Sequence, residues 1–135
     1  MATIIYTISV SPATNDYGYG NKYHVDSITS PNLTLSADNI YRFDLSHSTN
    51  SGHPLRFSTT ANGTHSGGVE YTQNVSVMGV PGTPGSYVQI SVDNDTPSLS
   101  YYCKNHSGMG AEGKLSLFPA AAAAGVSLGL VLALS

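Results

Sequence analysis

The chain is 135 residues with a net charge of −3; 40% of its residues are hydrophobic and only 10% are charged. That balance excludes a disordered tail, which needs low hydrophobicity and high charge, and a long surface helix, which needs more Lys, Glu and Arg. Five Lys and Arg in all, with no basic run, exclude an electrostatic nucleic-acid surface.

The first residues alternate: Ile4, Tyr6, Ile8 and Val10 against Thr7 and Ser9, which predicts a half-buried strand. This start has no basic n-region and does not read as a signal peptide. Asn15–Lys22 (NDYGYGNK) reads as a turn and Tyr23–Ile28 as a second strand. Asn32–Leu35 and Ile40–Leu45 flank Ser36-Ala-Asp-Asn39, the composition of a hairpin connection. Leu55, Phe57 and Thr59 alternate after His53-Pro54, and Ala61–Gly68 reads as a loop. Val75–Val77 is a short strand, followed by the Pro/Gly loop Met78–Ser86. Val88, Ile90 and Val92 alternate, Asp93–Pro97 turns the chain, and Leu99–Cys103 and Lys114–Phe118 are the last two strands. About eight strands with this turn spacing predict an all-β sandwich or small barrel over residues 1–118.

Residues 119–135 differ. Ala120–Leu134 carries no charge. As a helix it reaches about 22 Å, short of the ~30 Å bilayer core, and it lacks flanking basic or aromatic anchors. Val126, Leu128, Leu130, Leu132 and Leu134 fall on one face in period two, so as a strand the segment is an apolar arm that needs a partner. Three readings stay open: an arm packed on a neighbouring subunit, which is favoured, a short membrane anchor, or an extra element on its own body.

Chemistry concentrates in Cys103-Lys-Asn-His106-Ser-Gly-Met109, which brings a thiol, an imidazole and a thioether within seven residues. His53 stands upstream, at the start of a predicted strand. Two His, one Cys and a weak axial Met are the ligand set of a blue-copper site, in which thiolate and imidazoles form a trigonal plane. A loop between two strands converges the ligands, and His53 is expected to reach them from the opposite sheet. Among the other candidates, His65 reads as a solvated loop residue, His24 and His47 as surface or turn residues, and Met78 as packing or loop. Asp44 and Glu70 have no carboxylate partner at catalytic spacing, and no nucleophile elbow or phosphate loop occurs, so no enzyme is expected. The nine tyrosines suit strand surfaces and subunit contacts.

With strand, Cys-x2-His-x2-Met and strand in order, residues 21–118 resemble the cupredoxins, the Greek-key β-sandwiches of the blue copper proteins. The tract YYCKNHSGMG resembles their C-terminal ligand loop, with the Cys-x2-His-x2-Met spacing of amicyanin. The resemblance implies copper held by His53, Cys103 and His106, with Met109 axial. Two features depart from the family. Pro54 follows His53 where the family usually has a loop-bracing Asn, and Lys104, Asn105 and Ser107 make the rim around His106 polar. The tracts NSGHPLRFS and YYC-x2-HSGMG also resemble cupredoxin-like modules of marine cyanophage structural proteins. That second resemblance implies a virion component, a capsid decoration or tail part, forming a homo-oligomer through residues 120–134. The alternative is a blue copper electron-transfer protein, extracytoplasmic and tethered to a membrane by its C-terminal segment.

Overall fold

The computed structural model describes residues 1–111 and the strand at 116–118. The expected arm over 119–135 lies outside the described residues. Among those residues the regular structure is all-β, apart from two 3-10 turns, Ser48–Asn50 and Gly63–Ser66. The strands are β1 (Thr3–Asn15), β2 (Gly18–Val25), β3 (Ile28–Thr29), β4 (Thr34–Ser36), β5 (Ile40–Asp44), β6 (Leu55–Ser58), β7 (Val75–Met78), β8 (Tyr87–Ser91), β9 (Ser100–Cys103) and β10 (Ser116–Phe118). A six-stranded mixed sheet runs β3-β2-β1-β5-β8-β7, and two pairs, β6-β9 and β10-β4, complete the body.

Several turns sit elsewhere than the sequence predicts. The Asn15–Lys22 turn shrinks to Asp16-Tyr17, because Asn15 already pairs with Gly18. Gly18, at a φ of 102°, lets β2 begin at once. The expected strand Tyr23–Ile28 is broken by Asp26 and Ser27, both left-handed (φ 50° and 73°), the signature of a tight hairpin between β2 and β3. Ser36–Asn39 is not a hairpin connection. β4 pairs in parallel with β10, while β5 enters the large sheet between β1 and β8. The four residues do turn the chain, yet pairing is decided by which sheet buries Tyr41 and Phe43.

Period-two alternation builds the core. Ile8 and Val10 on β1, Tyr41 and Phe43 on β5, and Val88 and Ile90 on β8 are buried on one face of the large sheet. The β6-β9 pair covers that face. Phe43 meets the edge of Phe57 with ring centroids 5.2 Å apart and tilts on Tyr101 at 6.4 Å. The result is a sandwich, and each fully buried Leu, Ile or Phe in it contributes roughly 1.5–3 kcal/mol. Four of the nine tyrosines depart from the expected surface role: Tyr23, Tyr41, Tyr101 and Tyr102 are core residues, while Tyr19 is exposed. For Tyr23, Tyr41 and Tyr101 the ring fills the core and the hydroxyl finds a backbone partner. The Tyr101 hydroxyl donates to the Pro31 carbonyl (2.6 Å), and the Tyr41 hydroxyl accepts from Ser36 N–H (2.6 Å).

Candidate metal centre

The β6–β9 register creates the site. Leu55 pairs with Cys103, so the residues before β6 lie beside the residues after β9. Lys104 N–H donates to the Pro54 carbonyl (3.0 Å), carrying the ladder one step further. His53 and His106 are thereby delivered to the same point as Cys103. His53 comes from the same two-stranded sheet as Cys103, not from the opposite sheet, because β6 and β9 are antiparallel neighbours.

The three ligand atoms form a compact triangle. His53 Nδ1 and His106 Nδ1 are 3.1 Å apart, Cys103 Sγ is 3.5 Å from His106 Nδ1, and Cys103 Sγ is 3.8 Å from His53 Nδ1. A triangle with those sides has a circumradius of roughly 2.0 Å, so an ion near its centre meets the ~2.0–2.1 Å metal–imidazole and ~2.3 Å metal–thiolate distances. Among the described residues, these three are the His, Cys, Asp and Glu side chains that converge in this way. One Nδ1–H donates to the other ring, and an ion held in the triangle would take the place of that proton and of the thiol proton.

The environment is graded. Cys103 is fully buried, His53 half-buried and His106 exposed. Burial lowers the His53 pKa, and the His106 charge lowers it further. The buried Tyr23 hydroxyl donates to the His53 carbonyl (2.8 Å). Burial pushes its phenol well above the ordinary range, and the neighbouring Cys103 thiol adds to that shift. Met109 is buried in the core, its carbonyl held by Tyr23 N–H and the Ser30 hydroxyl, each at 3.0 Å. Three of the four expected ligands thus converge, and the fourth lies buried three residues beyond His106.

Residues that sequence reasoning passed over hold the ligand loop. Asn62, in the left-handed conformation with a φ of 60°, donates through Nδ2 to the Ser107 hydroxyl (2.8 Å). Its Oδ1 accepts from Gly108 N–H (2.9 Å). His65 is exposed as expected, but its Nε2 lies 2.7 Å from the Cys103 carbonyl, and its ring stands edge-on to Tyr102. Asn105 Nδ2 donates to Gly52 O (3.1 Å), joining the two ligand-bearing segments. On the other flank Asn15 Nδ2 and the buried Lys22 Nζ both donate to the Gly108 carbonyl, at 2.9 and 2.8 Å. The Asn62-Gly63 pair is a sequence signal for left-handed backbone; its tertiary partner is not legible from it. His24 is a half-buried β2 residue bonded to the Ser11 hydroxyl (2.8 Å), and His47 caps the Ser48–Asn50 turn; neither joins the triangle. Glu70 pairs with Arg56 (3.3 Å).

His106 opens on a polar groove of about 490 Å³, between Tyr17, Tyr19 and Lys22 on one side and Asn105 and Ser107 on the other. No protein-family model matches the chain, and no curated protein or solved structure is significantly similar to it. The chain is a β-sheet-rich domain carrying a His53–Cys103–His106 cluster compatible with a metal centre.

Proposed function

We propose that this chain is a cupredoxin-like Greek-key domain in which His53, Cys103 and His106, with Met109 as fourth ligand, would hold copper. The observation that carries the reading is the triangle of two imidazole nitrogens and one buried sulfur, sized for a single ion. The donor set favours copper over harder cations: a thiolate selects soft or borderline metals, and two imidazoles suit copper or zinc. A bound ion stabilises the native state by mass action.

The setting we propose is structural and non-enzymatic. The chain is a component of a phage virion, a capsid decoration or tail part, assembled as a homo-oligomer through residues 120–134. The support is the likeness of its GHPLRFS and YYCKNHSGMG tracts to phage modules, together with an apolar arm that needs a partner. One observation favours the alternative, an extracytoplasmic electron-transfer protein with a membrane tether: the thiol is buried while the His106 ring is exposed, giving electrons a short way out. No helix among the described residues is long and apolar enough to cross a membrane.

The test is titration of the reduced protein with Cu(II), followed by visible absorption and electron paramagnetic resonance, with Cys103→Ser alongside. An intense thiolate-to-copper band with narrow hyperfine splitting, lost in the variant, is the expected result. A folded protein that gives no band, or that takes zinc in preference, overturns the copper assignment. A genomic neighbourhood of capsid and tail genes rather than respiratory genes separates the two settings.

A further inference from the structure

We propose that β7 is the docking edge for the Val126–Leu134 segment of a second copy of this chain. The proposal rests on the assembly reading above and names the surface that assembly uses. β7 is the last strand on its side of the six-stranded sheet, with β8 as its sole partner among the described residues. Ser91 N–H donates to the Asn74 carbonyl (3.0 Å), so antiparallel alternation turns the backbone of Ser76 and Met78 toward β8 and that of Val77 outward. The open edge is greasy as well as unpaired among the described residues. Val77, Met78 and Val80 are 50%, 53% and 65% exposed. Proteins usually guard such an edge with a lysine, an inward charge or a covering loop. Here no residue between Glu70 and Asp93 carries a charge.

The chain carries a segment of matching chemistry. No charged residue follows Lys114, and from Val126 to Leu134 large apolar residues alternate with Ser127, Gly129, Val131 and Ala133. Extended, that pattern has one face of large side chains and one of mostly small ones, which suits addition to a sheet edge. Residues 119–125 separate it from the end of β10 and span up to about 25 Å, enough to hand the segment to a neighbour. A four-residue edge holds a lone flexible segment weakly. Arms exchanged around a closed assembly make every copy both donor and acceptor, so the contacts act together.

The experiment replaces Val77 in the full chain with a photo-crosslinking benzoylphenylalanine, with far-UV circular dichroism to check that the strands persist. Irradiation is expected to yield a dimer-sized product on a denaturing gel. Trypsin has no site after Lys114, so the linked fragment should be the peptide 115–135. Val77→Lys should weaken self-association at least tenfold by light scattering. A product of monomer size, a crosslink to another surface, or no crosslink overturns the proposal. The copper titration on the same proteins is independent. A copper band without the crosslink removes only the docking edge, and the crosslink without the band removes only the copper reading.

Discussion

The irregular, glycine-containing loops that follow β9 and β7 are held in opposite ways. The ligand loop after β9 is tied by groups from elsewhere in the chain: Asn15, Lys22, Ser30 and Asn62 all bond its backbone or side chains, and His65 bonds the Cys103 carbonyl from which it starts. Its last described residues, Gly108 to Ala111, are buried. The Gly79–Ser86 loop after β7 bonds partly within itself, through Thr83 N–H to Val80 O and Ser86 N–H to Thr83 O, and is largely exposed. Its long-range backbone ties, Gly82 N–H to Leu45 O and Leu45 N–H to Ser86 O, both reach a single residue. The contrast teaches that an irregular backbone is placed by its distant partners, not by its own turn residues. The loop with such partners carries the chemistry.

The largest expected effect comes from Gly110. A Cβ there would overlap the Tyr101 carbonyl oxygen, which is backbone and cannot swing aside. Gly110→Ala should cost about 3 kcal/mol or more, an overpacking effect where the neighbour cannot yield. Chemical denaturation reads it directly, and a loss under 1 kcal/mol would mean that the ligand loop is far looser than its contacts imply. Next is Asn62→Gly. Glycine keeps the left-handed backbone comfortable, so the change removes only the two side-chain hydrogen bonds. Losing them should cost about 1–3 kcal/mol. Exchange of the Gly108 amide should accelerate in the metal-free protein. Asn62→Asp keeps the acceptor for Gly108 N–H and should recover part of that protection; equal exchange in all three proteins would remove Asn62 from the account.

These residues also mark how far the sequence is legible. Alternation in Ile4–Val10 and Val88–Val92 reveals strands because a sheet has two faces, and a two-residue repeat records which one is buried. Cys103 and His106 are legible as neighbours because they stand only three positions apart. His53 is legible as a ligand only through its chemistry. Its arrival from the same sheet depends on the Leu55–Cys103 register, which no local pattern encodes. The parallel β4–β10 pairing escapes for the same reason. Asn62 and His65 escape because a hydrogen bond across 38 to 46 positions leaves no spacing to read. Tyrosine is ambiguous by nature: an apolar ring with a polar tip suits a surface or, given a carbonyl to bond, a core.

A smaller effect separates the loops from the other side. Gly85 has a φ of 80° and open space where a Cβ would stand. Gly85→Ala should therefore cost about 1 kcal/mol, the left-handed backbone penalty without a clash. A loss as large as that of Gly110→Ala would abolish the distinction between the loops.

The smallest effect is a pH dependence that belongs to the ligand side alone. His53 is held below its ordinary range by burial and then by His106. The unfolded chain takes up this proton near pH 6.5, and the folded one only at lower pH. Protonation therefore favours the unfolded state. The stability is fully present above the unfolded value and is lost as pH falls from about 6.5 toward the lower folded value. The melting temperature of the metal-free protein should decline across that window, and His53→Gln should flatten the decline. A ligand proton also competes with a metal ion, so copper affinity should fall over the same range. Identical melting curves for the two proteins from pH 7 to 5 would show that the half-buried imidazole gains its proton as freely in the fold as outside it. The triangle would then be open to solvent on the His53 side as well as at His106.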